Sequence, residues 1–430
     1  MSSEWRVQKI SSLGEFDRGK SKHRPRDAAH LYGGPYPFIQ TGDVTNSDGR
    51  ITSFRQTYSE AGLAQSRLWP AGTLAITIAA NIAETAILTF PACFPDSVVG
   101  FTADTAKADV RFIEYLFQAM RKQVKSHAYG SAQENINLEV LRKLEFPIPP
   151  LPLQTKIADY LSLIDDRIAL LRETNATLEA IAQALFKSWF VDFDPVRAKM
   201  AGRTPEGMDE ATAALFPDGF ETSELGEVPR GWRVGMIGDF AQLKKGSVNP
   251  GSQPEATFEH FSLPSFDAGQ RPIFERGDSI KSNKTPVTPD AVLLSKLNPH
   301  IPRIWLPVEC GSNAVCSTEF LVFVPIGIGS RELIYCAFSS PDFIARLQQL
   351  VTGTSNSHQR IKPDQVALMS SVVPTADVAR AFEAAAKPIF QKVFANRAQV
   401  QTLTTLRDTL LPRLISGQLR VGEVPAVEHA

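Results

Sequence analysis

Four cysteines are spread over 430 residues, and Cys93, Cys310, Cys316 and Cys336 form no CxxC pair. That spacing argues against a structural zinc site and suits a reducing cytoplasm, where the chain is expected to work. No run of 18 apolar residues occurs, and the most hydrophobic stretch, residues 74–90, is broken by Asn81 and Glu84. The opening Met1-Ser2-Ser3-Glu4-Trp5 lacks both a basic start and an apolar run, so neither secretion nor membrane insertion is expected. An excess of one charge is missing too. Lys+Arg 45 against Asp+Glu 46 gives a net charge of -1, which excludes a globally basic nucleic-acid coat and leaves room only for local basic patches.

Catalytic patterns are equally scarce. No GxSxG elbow or HExxH pair is present, the seven histidines are scattered, and no Asp or Glu is followed two residues later by Lys. Serine hydrolysis, zinc hydrolysis and the common metal-dependent nuclease chemistry are therefore not expected, and no metal site is expected. Asn298-Pro299-His300-Ile301 is similar to the Asn-Pro-Pro-aromatic loop that grips a flipped adenine, but the second proline and the stacking aromatic are absent. One motif does match: Gly14-Glu15-Phe16-Asp17-Arg18-Gly19-Lys20-Ser21 fits the phosphate loop GxxxxGK[ST]. Its context argues against it. Pro25 and Gly33-Gly34-Pro35 follow where a helix must open, and Glu15 and Asp17 would face the triphosphate. A P-loop nucleotide-binding protein stays as an alternative reading.

What the sequence has is repetition. A hydrophobic fraction of 43 % with 21 % charged residues is that of a folded protein, and the length suits two to four domains. Trp5-Arg6-Val7 recurs as Trp232-Arg233-Val234, and the polar loop running to Ile136 echoes the one running to Ile361. Each copy runs from a Trp-led strand through short β-branched segments to a Gly/Ser/Gln/Asn loop, a proline stop and a long helix. The fold class expected is mixed α/β (α+β), with two tandem domains, two long antiparallel coiled-coil helices and a pseudo-two-fold internal repeat.

The helices carry the strongest periodicity. Ile157, Leu161, Ile164, Ile168, Leu171, Asn175, Leu178, Ala182, Leu185 and Trp189 alternate by fours and threes as a heptad seam. Val378, Phe382, Ala385, Ile389, Asn396, Leu403, Leu406 and Leu410 form a weaker second seam, interrupted at Lys392 and Gln399. A single Asn in each seam, Asn175 and Asn396, fixes register because its amide is satisfied only opposite the right partner. Residues 157–189 make a helix about 50 Å long, so an antiparallel pair would act as a rod between two globular copies. Between the copies, residues 195–230 are rich in Gly, Pro and acid and lack a sustained period, as a connector would.

Basic and amide-rich loops recur at matching places. Copy one holds Arg18, Lys20, Lys22, Arg24 and Arg26, then Gln133 and Asn135. Copy two holds Lys244 and Lys245, then Lys296, Asn298, His300 and Arg303, then Asn356, His358 and Arg360. Lys and Arg neutralise phosphates, while Asn, Gln and Arg match base edges in the major groove. Two unlike heads at a set separation would read two short sequences across a constant gap. A coiled-coil scaffold without DNA contact is the remaining alternative.

The strand-to-helix passage from Phe146-Pro147-Ile148-Pro149-Pro150 to Gln154-Thr155-Lys156-Ile157-Ala158 carries a family resemblance. With it go the helix tail Ala184-Leu185-Phe186-Lys187-Ser188-Trp189-Phe190, the connector end Gly226-Glu227-Val228-Pro229-Arg230-Gly231-Trp232, and the closing Leu411-Pro412-Arg413-Leu414-Ile415-Ser416-Gly417. Together these marks resemble the specificity (S) subunit of a type I restriction–modification system, over residues 5–417. The second helix departs from the pattern, with Pro374-Thr375-Ala376-Asp377 in place of a double-proline, Glu-Gln entry. The resemblance implies a target recognition domain at 1–150, a spacer helix at 151–194, the connector at 195–230, a second recognition domain at 231–374, a second spacer helix at 375–416 and a tail at 417–430. It implies no catalysis by this chain and no cofactor on it. Two modification subunits would bring S-adenosylmethionine and methylate adenine, and restriction subunits would bring ATP, magnesium and cleavage. Double-stranded DNA would be the common ligand, with no membrane involved.

Overall fold

The computed structural model describes residues 5–79, 81–126, 136–351 and 359–423. The chain divides into two compact units, residues 1–170 with 399–430 and residues 171–398. The two long helices, Leu151–Phe190 and Ala376–Ile415, each contribute to both units.

In the first unit the main sheet has the order Gly14–Arg18, Val98–Ala103, Leu74–Thr77, Thr85–Leu88, Arg50–Ile51. All neighbours are antiparallel except the last pair. Leu74–Thr77 is buried at every residue, as a central strand covered on both faces must be. Helix Val110–Ala119 opens on Asp109, whose carboxylate accepts the Arg111 amide, and buries Phe112, Ile113, Leu116 and Phe117. Arg6–Lys9 pairs with Glu145–Ile148, from which the chain passes through Pro149-Pro150 into the first long helix. Residues 14–18 are a sheet strand in which Phe16 is buried and Arg18 exposed, and the nucleotide-binding alternative falls with it: a strand pairs its amides with a neighbour and cannot wrap a phosphate.

The second unit repeats this plan. Its main sheet runs Ala241–Lys244, Phe320–Pro325, Val292–Ser295, Ile304–Trp305, and Arg233–Met236 pairs with Ser370–Val373 ahead of the second long helix. The repeat reaches single residues. Phe38 bridges in parallel to Cys93 in the first unit, and Phe261 to Cys316 in the second. Both cysteines are fully buried, and desolvation pushes the Cys316 thiol up to about 12, so they serve as small apolar packing.

The helices pair antiparallel. Within the second unit Asn175 meets Asn396, whereas Phe186 and Trp189 meet Phe382, so the partner's number falls as the helix advances. Within the first unit Asp165 meets Arg407. Ile157, Leu161, Ile164, Ile168, Leu171 and Asn175 are buried, and Leu178 and Leu185 half-buried. On the second helix Phe382, Asn396, Leu403 and Leu410 are buried and Ile389 half-buried. The expected second seam needs correction elsewhere. Ala385 and Leu406 are exposed, and Ala386, Phe390, Val393 and Val400 are buried in their stead. The stripe is therefore not interrupted at Lys392 and Gln399: Val393 and Val400, one residue further along and in step with Ala386, take the buried places.

The expected connector is also folded. Within residues 195–230 lie helix Glu210–Ala214 and the hairpin Phe220–Ser223/Gly226–Pro229. Trp189, Phe190, Phe193, Phe216 and Trp232 form one aromatic cluster in the core of this unit. Aromatic rings at irregular spacing carry no period, which is why the segment read as a linker.

Candidate nucleic-acid interface

Sheet register decides which loops share an edge. In the first unit Arg18 lies opposite Val99 and Thr77 opposite Val98. The basic loop after Arg18 and the turn after Thr77 therefore leave the sheet on the same side. Ile136, the first described residue after the Gly/Ser loop, donates its amide to the Ile78 carbonyl at 3.3 Å, which brings that loop's end to the same edge. Gln133 and Asn135 themselves lie outside the described residues.

The second unit arrives at the same arrangement with other residues. Lys244 lies opposite Val322 and Ser295 opposite Phe320, and the Ile361 amide donates to the Lys296 carbonyl at 3.1 Å. The Asn298 amide donates to the Gln359 carbonyl at 2.8 Å, and Leu297 bridges Arg360. Lys296, Asn298, His300 and Arg360 are thus brought together across some sixty residues of sequence. Asn356 and His358 lie outside the described residues.

The turns close alike. The Thr77 amide donates to the Glu84 carbonyl at 2.9 Å, and the Ser295 amide to the Arg303 carbonyl at 2.9 Å. Inside each turn a buried hydroxyl takes up backbone groups. Thr77 Oγ1 donates to the Asn81 carbonyl and accepts the Glu84 amide, and Ser295 Oγ donates to the Leu297 carbonyl. These two hydroxyls were not singled out in the sequence. Their only signal is a small polar residue ending a fully apolar strand.

The basic residues divide by what they touch. Lys20 and Lys22 are exposed, Lys244 and Lys296 are half-buried, and among the described residues none of the four has an ion-pair partner. Arg24 donates to the Ser21 and His23 carbonyls at 2.7 and 2.8 Å, and Arg18 to the Asp96 carbonyl. Arg26 Nη2 donates to both oxygens of the Asp96 carboxylate, at 2.9 and 2.8 Å. Asp17, the acid that the sequence places in this loop, turns instead to Arg67, whose guanidinium lies 4.0 Å over Trp69. Lys245 sits 3.8 Å from Asp364, both well exposed. Arg360 is bidentate to Glu319 at 3.2 and 3.0 Å.

Arg303 belongs to the fold. Its side chain is 13 % exposed and forks onto Asp267 at 2.7 and 2.9 Å. The matching position in the first unit is Glu84, held by Arg121 at 3.0 Å and Lys125 at 3.3 Å. A site that takes either sign of charge, provided that it is paired, anchors the turn and does not neutralise phosphate.

A second matched feature lies where each globular part meets the helices. Asp165 accepts from Tyr115 at 2.5 Å and from Arg407 at 2.9 Å in the first unit. Glu179 accepts from Tyr335 at 3.4 Å and from Arg397 at 2.7 Å in the second. A single tyrosine in each of these helices, Tyr115 before Leu116-Phe117 and Tyr335 after Leu333-Ile334, was the available signal. Among the described residues no group of acids, histidines and cysteines could hold a metal ion, and no helix is long and apolar enough to cross a membrane.

Residues 2–180 match the family described as the type I restriction modification DNA specificity domain. The chain is 25 % identical to the type I restriction enzyme MjaIX specificity subunit of Methanocaldococcus jannaschii, over 98 % of this chain and 95 % of that one. It is 25 % identical to the HindI specificity subunit of Haemophilus influenzae, over 97 % of this chain and 100 % of that one. In fold it is similar to the crystal structure of the S subunit of a type I restriction-modification system from M. genitalium, with a TM-score of 0.55 and 17 % identity, covering 96 % and 97 % of the two chains.

Proposed function

We propose that the chain is a DNA specificity subunit of the type I restriction–modification family, whose specificity domain its residues 2–180 match, and that each globular copy reads one half of a bipartite DNA site. It is a non-catalytic DNA-recognition subunit. The sheet edge carrying Lys20 and Lys22 contacts one half-site, and the edge carrying Lys244, Lys296 and His300 the other. The observation that carries this reading is the matched pair of edges: one backbone plan, closed by the same hydrogen bonds, displays different side chains. A protein reading two unlike sequences needs that combination, because the frame sets the approach and the side chains set the bases.

The paired helices keep the spacer between half-sites and dock two modification subunits, which hold S-adenosylmethionine and methylate adenine. Restriction subunits join that assembly with ATP and magnesium, and the complex works in the cytoplasm, where its DNA is. With a net charge of -1 the chain alone releases few counterions, so the partners supply much of the DNA affinity. Mapping methylated adenines in cells that express the complex tests the proposal. A single two-part motif with a constant gap is the expected result; methylation in a continuous motif, or with a variable gap, would overturn it.

A further inference from the structure

The two turns that close alike also align at their tips. Counting back from the closing carbonyls of Glu84 and Arg303, Asn81-Ile82 in the first unit falls on His300-Ile301 in the second. Asn81 and His300 are exposed, Ile82 is half-buried and Ile301 is 45 % exposed. Each turn also holds a non-glycine residue in the left-handed region, Ala83 at φ 61° and Asn298 at φ 51°. Such conformations cost energy and persist where the surroundings fix the chain, which is common at binding sites. Here the surroundings are the buried hydroxyls of Thr77 and Ser295 and the ion pairs at Glu84 and Arg303. The two turns thus display an unlike polar residue followed by the same apolar one.

We propose that these two tips read base edges in the major groove, Asn81 and His300 by hydrogen bonds and Ile82 and Ile301 by contact with thymine methyl groups. The inference rests on the DNA-reading function above and deepens it by naming the side chains that discriminate. A carboxamide matches the N6 and N7 edge of adenine, and isoleucine offers the apolar surface that a thymine methyl seeks. A neutral imidazole presents one donor and one acceptor, a different pattern from the amide. The two turns close by the same amide-to-carbonyl bond, the second with one residue more, and the polar residue at the tip differs, so the two half-sites differ at the base each tip meets. In the protein alone Asn81 Nδ2 lies 3.3 Å from Thr45 Oγ1, a long bond that a base acceptor can replace.

The test uses the chain co-purified with its modification subunits and duplexes randomised in both half-sites, with methylated products sequenced. Asn81→Ala is expected to relax discrimination at one or two adjacent bases of one half-site about tenfold to a hundredfold, leaving the other half-site intact. His300→Ala is expected to do the converse. Should either variant melt below wild type, Asn81→Ser and His300→Asn take their places. Unchanged base preference, or weakening that is uniform over all sequences, overturns the tips as readers while the bipartite function stands. A wild-type complex with no two-part preference overturns the function itself.

Discussion

At the residue scale, buried polar groups carry the most exposed consequences. Asn396 Nδ2 donates to Asn175 Oδ1 at 2.9 Å, and Asn175 Nδ2 donates to the Val393 carbonyl at 3.3 Å, both side chains being buried. Asn396→Leu removes the donor to Asn175 Oδ1 and strands that buried oxygen, which costs about 1–3 kcal/mol. The double change Asn175→Leu with Asn396→Leu leaves no orphan and is expected to recover most of that loss in denaturant melts. A double variant no better than the single would mean that the amides do not satisfy each other. Glu114 makes a pH-dependent case. Burial pushes its carboxyl up to about 8, with Asp165 adding to the rise and Gln118, Thr85 and Arg121 opposing it. The folded first unit thus keeps Glu114 protonated at neutral pH, while the unfolded chain releases that proton near 4.5. Its contribution to stability is complete below pH 4.5, falls by at most about 1.4 kcal/mol per unit as pH rises, and is gone above pH 8. Glu114→Gln keeps an acceptor for Thr85 and cannot ionise, so its melting temperature relative to wild type is expected to climb between pH 5 and 8.5. A difference that stays flat across that range would show the carboxyl to be ionised in the fold.

At the element scale the long helices were legible and the turns were not. A seam of apolar residues with one Asn is a local pattern, readable without knowing the partner, and Ile157 to Asn175 follow it to the residue. The second seam slipped by one, at Ala386 and Phe390, because Phe390 also packs on Tyr335 of the globular part. That contact is long-range and leaves no local period. The basic loop after Arg18 was legible as charge; that Asp96 would enter it, or that Arg303 would be anchored by Asp267, depended on pairings across 70 and 36 residues. Antiparallel pairing makes helix length a quantity that can be edited. Seven residues removed from each helix beside the Asn175–Asn396 pair keep the heptad phase and the facing Asn residues. They shorten each helix by about 10 Å, close to three base pairs at 3.4 Å each. The methylated motif is expected to lose about that much of its gap and keep both half-site sequences. An unchanged gap would mean that something other than the helices sets it.

At the scale of the whole molecule, the duplicated plan makes the heads exchangeable only along certain seams. The core around Trp69, Phe94 and Ala75 closes within the first globular copy, so a different head can fold on its own strands. Beside the ion pairs of Arg111 with Asp159 and of Arg50 with Asp166, three contacts of defined side-chain type tie that head to the helical parts of the same unit. Gln154 Oε1 accepts the Asp109 amide at 3.1 Å, Tyr115 reaches Asp165, and the Trp5 indole fills the space where a side chain on Gly417 would start, 2.6 Å from that position. Gly417 sits at φ 72°, so it tolerates no other residue cheaply and the indole needs no rival there. A replacement for residues 1–150 must therefore bring its own tryptophan, a free helix-start amide for Gln154 and a tyrosine at these points. With those three retained, the exchanged protein is expected to assemble with its modification subunits and to methylate a motif altered in one half only, with the other half and the gap unchanged. Without the tyrosine, Asp165 would face Arg407 alone and the head would lose an anchor to the helix, so methylation is expected to fall without any change of sequence. A retained-contact exchange that altered both half-sites together would show that the copies do not read independently.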